Sequence, residues 1–261
     1  MEKFTFEGVE NSDNFNDRNS IELYRKEALE AFSPMSKFIK GFVGSKKVNI
    51  MEIGSGNSSL LFNLNNEKIL KKGVGIEMAR SRYIFAEQWK NELGLENIIN
   101  INDDFRKVPI EKNKYEVFIC NSTLQYLDIK IASELFCYGY ESLKKDGIFI
   151  MDVPNYGINI KKMQNNIYSY KKKFASTNPF SYGIYELKKD LNKEFYINTS
   201  RYFDNQGKLK ATSKYKVFEW HERKIKQLLV KTKFNKISTY GSLDKTKSNL
   251  DSKNFYFIAY K

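Results

Sequence analysis

The chain has 261 residues, of which 41% are hydrophobic and 15% aromatic, enough to enclose a substantial core and too much for a peptide or a disordered tail. Two cysteines, Cys120 and Cys137, and the single histidine His221 exclude a disulfide framework and a four-ligand structural zinc, and no metal site is expected. The beginning, MEKFTFEGVE, lacks the basic-then-apolar layout of a signal peptide, and no stretch approaches the roughly 20 apolar residues of a membrane helix, so a cytoplasmic protein without a membrane partner is expected.

The formal net charge of +13 is unevenly spread. Met1 to Asn155 holds 21 basic and 23 acidic residues, whereas Tyr156 to Lys261 holds 23 basic and 8 acidic. A positive field over one part of a chain attracts anions such as nucleic acid, anionic lipid or a phosphorylated metabolite. A lysine-rich surface that serves solubility is the alternative.

In chain order, IELYRKEALEAF repeats apolar residues at helical spacing and predicts a leading helix broken by Ser33 and Pro34. From Lys47 the pattern becomes short apolar runs, VNIMEI, VGIE, NIINI, YEVFIC and GIFIMDV. Helical stretches such as RSRYIFAEQWKNEL and IKIASELFCYGYESLKK separate them. This alternation predicts an α/β fold with a mostly parallel sheet and helices on both faces. After Pro154, KKMQNNIYSYKKKF reads as helical, and EFYINTSRYF with KLKATSKYKVF reads as an antiparallel hairpin across Asp204 to Gly207. Glu219 to Lys231 then reads as a helix, and KISTYG and NFYFIAY as closing strands. The hairpin-containing segment is therefore an insertion after the fifth strand. Four units are expected: an N-terminal helical lid over 1–45, a core over 46–154, an insertion over 155–217, and the rest of the core over 218–261.

In open parallel sheets, ligands bind beyond the carboxyl ends of the strands. Glu52 ends the first strand and is followed by Gly54, Ser55, Gly56, Asn57 and Ser58, small residues that allow a sharp turn and close approach of a ligand. Glu77 ends the second strand 23 residues after Gly54, where a carboxylate can accept hydrogen bonds from ribose hydroxyls. Asp103 and Asp104 follow the third strand, and Asn121 to Tyr126 the fourth. Each acid taken alone could be a helix cap.

Taken together, these residues resemble the class I S-adenosylmethionine-dependent methyltransferases, over roughly Val48 to Pro154 and the last helix and strands. The resemblance lies in Glu52-x-Gly54-x-Gly56, with Ser58 where a third glycine is usual. It continues in the acid Glu77 and in Asp104-x-x-x-x-Pro109, with Phe105 beside the adenine. It implies a Rossmann-like seven-stranded sheet with an antiparallel last strand. S-adenosylmethionine is the implied cofactor, held by Glu52, Gly54, Ser55, Gly56, Asn57, Glu77, Met78, Asp104, Phe105, Asn121 and Ser122. A nicotinamide dehydrogenase shares the glycine loop and ribose acid, but it typically carries the third glycine and rarely an acid at Glu52.

Transfer from a sulfonium needs chiefly placement of the acceptor, plus a base if that acceptor is an alcohol. His221, Glu219, Tyr126 and Asp152 are the available groups, with His221 and Tyr126 singled out as catalytic candidates. The resemblance implies a lid near Tyr24 and Arg25 and an acceptor cap in the insertion. The expected acceptor is a small anionic metabolite or a phosphoryl, nucleotide-linked or capsule-type glycan group, methylated on oxygen. An RNA methyltransferase using the basic segment, with nucleic acid as partner, and a catalytically silent cofactor-binding protein are the alternatives.

Overall fold

A computed structural model describes residues 10, 15, 17–156, 162–174, 178–189, 194–249 and 251–261. The first nineteen residues include most of what is left out, so the entry to the lid expected over 1–45 lies largely outside the described residues.

Helix α1, Arg18–Val43, is capped by Asp17, whose carboxylate accepts the Ser20 N–H at 2.7 Å. It does not stop at Pro34. Beyond that residue Met35, Phe38 and Ile39 are buried, and their packing holds the helix through a position where proline removes one backbone donor. Arg25 clamps α1 onto α3, Arg80–Glu92. Its guanidinium is bidentate to Glu92 at 2.7 and 3.2 Å and lies over the rings of Phe85 and Trp89.

The main sheet uses β1 Val48–Ile53, β2 Leu70–Ile76, β3 Ile98–Ile101, β4 Tyr115–Cys120, β5 Leu143–Pro154, β10 Asn235–Tyr240 and β11 Asn254–Tyr260. Their spatial order is β10-β11-β5-β4-β1-β2-β3. Strands β1 to β5 are parallel, and β11 runs antiparallel between β5 and β10. The predicted mostly parallel seven-stranded sheet with an antiparallel last strand is therefore present. Helices α2 Ser59–Asn66, α4 Ile129–Ser142 and α5 Glu222–Lys231 complete the layers. Buried apolar residues of β1, β4 and β5 face both layers, which is why these strands read as continuous apolar runs.

The order reverses between β1 and β4, and their carboxyl ends open a crevice there. Above it lies a second, four-stranded antiparallel sheet of β6 Ile167–Lys173, β7 Tyr182–Lys189, β8 Phe195–Phe203 and β9 Leu209–Phe218. The hairpin expected over Glu194 to Phe218 is β8–β9. The helix expected over KKMQNNIYSYKKKF is absent, because Ile167–Lys173 instead pairs with β7 as an edge strand.

One face of this second sheet carries Leu187, Tyr196 and Val217, which bury against Tyr126, Tyr156, Met163 and Tyr215. The Trp220 indole donates to the Leu124 carbonyl at 3.0 Å, tying the chain after β9 to the turn after β4.

Candidate active site

The loop after β1 departs from ordinary backbone at alternate residues. Gly54, Gly56 and Ser58 have φ of +70, +56 and +62°, so the position where a third glycine was looked for keeps the left-handed turn with a serine. The Ser58 hydroxyl is held by Asn100 Oδ1 at 2.7 Å. A Cβ on Gly54 would meet Thr123 Oγ1 at 2.1 Å, whereas one on Gly56 would meet nothing within 4 Å. The loop is thus pressed against the turn after β4 at Gly54 and open at Gly56.

The acids Glu52, Glu77, Asp104 and Asp152 relate to this crevice in different ways. Glu77 Oε2 accepts the Gly56 N–H at 2.9 Å, and its Oε1 accepts the Ala79 N–H at 2.7 Å. Glu52 is buried, and its Oε2 has no hydrogen-bond partner among the described residues. Burial, reinforced by Glu77 and Asp152, pushes its carboxyl well above the usual range. Asp152, at the end of β5, accepts the Ser122 N–H at 2.5 Å. Burial outweighs that bond and raises its pKa to about 6. Asp104 instead closes on Arg106, which holds its carboxyl below the usual range, and Phe105 packs edge-on to Tyr138 in the core, 5.8 Å between centroids.

Ser55 and Asn57 are buried in the loop, with Ser55 Oγ lacking a partner and Asn57 Oδ1 receiving the Ser59 N–H at 3.2 Å. Met78 is exposed, 58% accessible, just beyond Glu77. Asn121 is buried, and Ser122 takes a left-handed turn, φ +49°, that lets it meet Asp152.

These features fit S-adenosylmethionine. A buried oxygen without a partner, Glu52 Oε2, an unobstructed face at Gly56 and the Glu77 carboxylate beside it supply acceptors and space for a nucleoside with a cationic tail.

The two expected catalytic residues separate. Tyr126 is half-buried, and its ring meets Tyr215 edge-on at 5.1 Å between the crevice and the second sheet. The His221 side chain is 70% accessible, 3.5 Å from Glu219 Oε1. It belongs to a cavity of about 240 Å³ lined by Asp128, Lys189, Glu194, Tyr196 and Lys224 among others, to which the glycine loop and Glu77 do not contribute.

Lysines of the basic segment lie away from the inner face of the second sheet or at its border. Lys171 and Lys173 pair in register with Ile184 and Tyr182, on the face opposite to Leu187, and both are exposed, as are Lys208 and Lys210. The positive group that does approach the crevice was missed by sequence reasoning. Arg82 lies in the first turn of α3, beside the carboxyl end of β2, where the field of Glu10 and then those of Glu77, Tyr126 and Tyr24 act on it, and its signal was its place five residues after Glu77.

Comparison with known proteins agrees with this geometry. The methyltransferase domain family matches residues 44–199, more than half of the chain. A carboxy-S-adenosyl-L-methionine synthase of Staphylococcus epidermidis is 24% identical over 151 residues, 57% of this chain and 62% of that protein. A polyamine aminopropyltransferase of a Hydrogenobaculum species is 27% identical over 116 residues, 42% of this chain and 41% of that protein. The chain thus spans about half the length of the curated relatives it matches.

Among solved structures, the CcbJ methyltransferase of Streptomyces caelestis superposes with a TM-score of 0.74 at 11% identity, covering 87% of this chain and 88% of that one. An S-adenosylmethionine-dependent methyltransferase of Clostridium acetobutylicum gives 0.73 at 17%, covering 88% and 91%. CalS10 of Micromonospora echinaspora, an amino pentose methyltransferase solved with S-adenosylmethionine bound, gives 0.64 at 9%, covering 94% and 98%. At these identities the likeness is one of fold. With the family match over most of the sheet and a crevice that suits the nucleoside, the chain belongs to the methyltransferase domain family, in the class I, Rossmann-like group whose cofactor is S-adenosylmethionine.

Proposed function

We propose that the protein transfers a methyl group from S-adenosylmethionine to a small acceptor held between the ends of β4 and β5 and the inner face of the second sheet. The observation that carries this reading is the packing of β8–β9 on the turn after β4, through Tyr126 against Tyr215 and Trp220 on Leu124, which sets a roof over the crevice. The insertion over 155–217 acts in this reading as the acceptor cap, and α1 as part of the lid.

The bound cofactor supplies a methyl already activated on a sulfonium, so the chain has to bind, orient and keep water out. We assign Glu77 to the ribose hydroxyls and Glu52 to the cationic end. The loops bearing Gly54 to Asn57, Met78, Asp104 and Asn121 to Ser122 form the remaining walls, with Phe105 supporting them from the core. Tyr126 stands in the wall between crevice and sheet, and we assign it to holding the acceptor. Asp152 is assigned the proton of a hydroxyl acceptor, because its pKa of about 6 leaves it a competent base at neutral pH. His221, in a surface cavity of its own, is not assigned that role.

For the acceptor we infer an anionic small molecule of the phosphoryl, nucleotide-linked or glycan kind, methylated on oxygen. The lysines of β6 and of the β8–β9 turn supply long-range attraction, and Arg82 a local positive charge. The test has two parts. Titration with S-adenosylhomocysteine must show a single site that Glu52 and Glu77 substitutions weaken. Release of S-adenosylhomocysteine is then followed with phosphorylated sugars, sugar nucleotides, neutral amines and a structured RNA. Turnover with RNA alone would replace the metabolite reading, and turnover with neutral amines alone would remove the anionic one.

A further inference from the structure

Three elements meet at one carboxylate. Glu10 lies outside the helices and strands, yet its side chain is only 11% accessible. The Tyr24 hydroxyl, from the second turn of α1, donates to Glu10 Oε1 at 2.9 Å. Arg82, from the first turn of α3, brings Nε within 3.4 Å of Glu10 Oε2. That contact is incomplete. Neither Arg82 Nε nor Glu10 Oε2 has a hydrogen-bond partner among the described residues, although both atoms are buried.

A half-buried arginine with an enclosed Nε and a buried carboxylate this close, with neither hydrogen-bonded to the other, are held by charge and without the paired geometry that normally offsets desolvation. Arg25, the residue after Tyr24 in α1, shows the contrasting case, bidentate on Glu92. The Arg82 side chain also keeps 38% of its surface accessible, so part of it faces open space. Arg82 lies in the first turn of α3, just after Glu77 at the end of β2, and the fields of Glu77 and Tyr126 act on it.

We propose that Arg82 and the Tyr24 hydroxyl form a subsite for an oxyanion carried by the acceptor, a carboxylate or a phosphate, and that Glu10 fills this subsite as an internal surrogate until an acceptor displaces it. This rests on the methyl-transfer reading and deepens it. The groups that meet Glu10, one guanidinium and one phenol, are those that recognise a free oxyanion, and the loose Arg82 contact makes the surrogate exchangeable.

The experiment uses the full chain saturated with S-adenosylhomocysteine, titrated calorimetrically with inorganic phosphate and, separately, with acetate. Glu10→Gln empties the subsite of its carboxylate and is expected to tighten binding about tenfold, the factor for a surrogate that holds the site roughly 90% of the time. Arg82→Leu added to Glu10→Gln is expected to abolish that gain, and Tyr24→Phe to reduce it. Because Glu10→Gln reads a gain, misfolding cannot imitate the expected result, and Arg82→Lys serves as a milder second variant. A larger gain for phosphate than for acetate identifies a phosphoryl acceptor, and the reverse identifies a carboxylate. Unchanged anion affinity in Glu10→Gln, or a gain that survives Arg82→Leu, overturns the proposal. So does a loss of S-adenosylhomocysteine affinity in Arg82→Lys of the same size as the loss of anion affinity, since Arg82 would then serve the cofactor. Failure of the wild-type chain to bind S-adenosylhomocysteine would instead overturn the reading on which the proposal stands.

Discussion

The Gly56 N–H donates to the Glu77 carboxylate at 2.9 Å, so the loop after β1 is fastened to the end of β2 by the side chain that also faces the cofactor crevice. Glu77→Ala removes both an anchor of the loop and an acceptor for the ligand. Calorimetric affinity for S-adenosylhomocysteine is expected to fall by about 1.5 to 3 kcal/mol, the worth of hydrogen bonds to a charged group. Unchanged affinity would move the ribose site elsewhere.

Gly54→Ala combines two costs. The residue sits at φ +70°, and its new Cβ would fall 2.1 Å from Thr123 Oγ1, so the loop or the turn after β4 has to move. Left-handed backbone alone costs an alanine about 1 kcal/mol, and the clash adds to it. Thermal unfolding is expected to show a clear loss of stability. Thr123→Ala in the same chain should recover the steric part and leave the backbone part.

Asp152 ties stability to pH. Its pKa is raised to about 6 from an ordinary 3.8, so the folded state holds its proton more tightly than the unfolded chain does. Stability from this group is therefore complete below the unfolded value and is lost as pH rises through about 6. The gap amounts to roughly 3 kcal/mol at neutral pH. Asp152→Asn keeps an oxygen for the Ser122 N–H and is expected to be more stable than the parent at pH 7. The advantage should vanish near pH 4 in paired denaturant titrations. If Asp152 is also the base, the same variant loses turnover on a hydroxyl acceptor.

Turnover should distinguish the two side chains first singled out for catalysis. Tyr126→Phe removes a hydroxyl from the wall of the acceptor space and is expected to lower kcat/KM about tenfold, one hydrogen bond's worth. His221→Ala, on an exposed side chain, should leave kcat within about twofold. A fall of several orders of magnitude in the second variant would return the base to His221.

Most of the main sheet was legible because each strand buried on both faces reads as an apolar run, and each glycine or acid after it marks a strand end. The second sheet was only half legible. In Met163, Ile167, Tyr170 and Phe174 the large residues fall three or four apart and imitate a helix, while β6, an exposed edge strand, has no buried face to impose alternation. Strand β7 passed unnoticed although it pairs on both sides. Pro34 misled for the opposite reason, since a local signal for termination was overridden by the burial of Met35, Phe38 and Ile39. Arg82 was invisible as a site residue, because an arginine in the first turn of a helix looks like a solvated charge until Glu10 and Tyr24 are folded against it.

The lysine run on β6 has a consequence apart from any acceptor. Strand β6 is the open border of its sheet, paired with β7 on one side and with no strand on the other among the described residues. A bare border of this kind can recruit the same strand from another molecule, and such pairing grows into aggregates. Lys171, Lys172 and Lys173 set three like charges along the last part of that border, where two copies brought side by side would repel. Neutralising them in a search for weaker acceptor binding would also remove the guard that keeps neighbouring molecules apart, so such variants call for a sedimentation measurement before their kinetics are read.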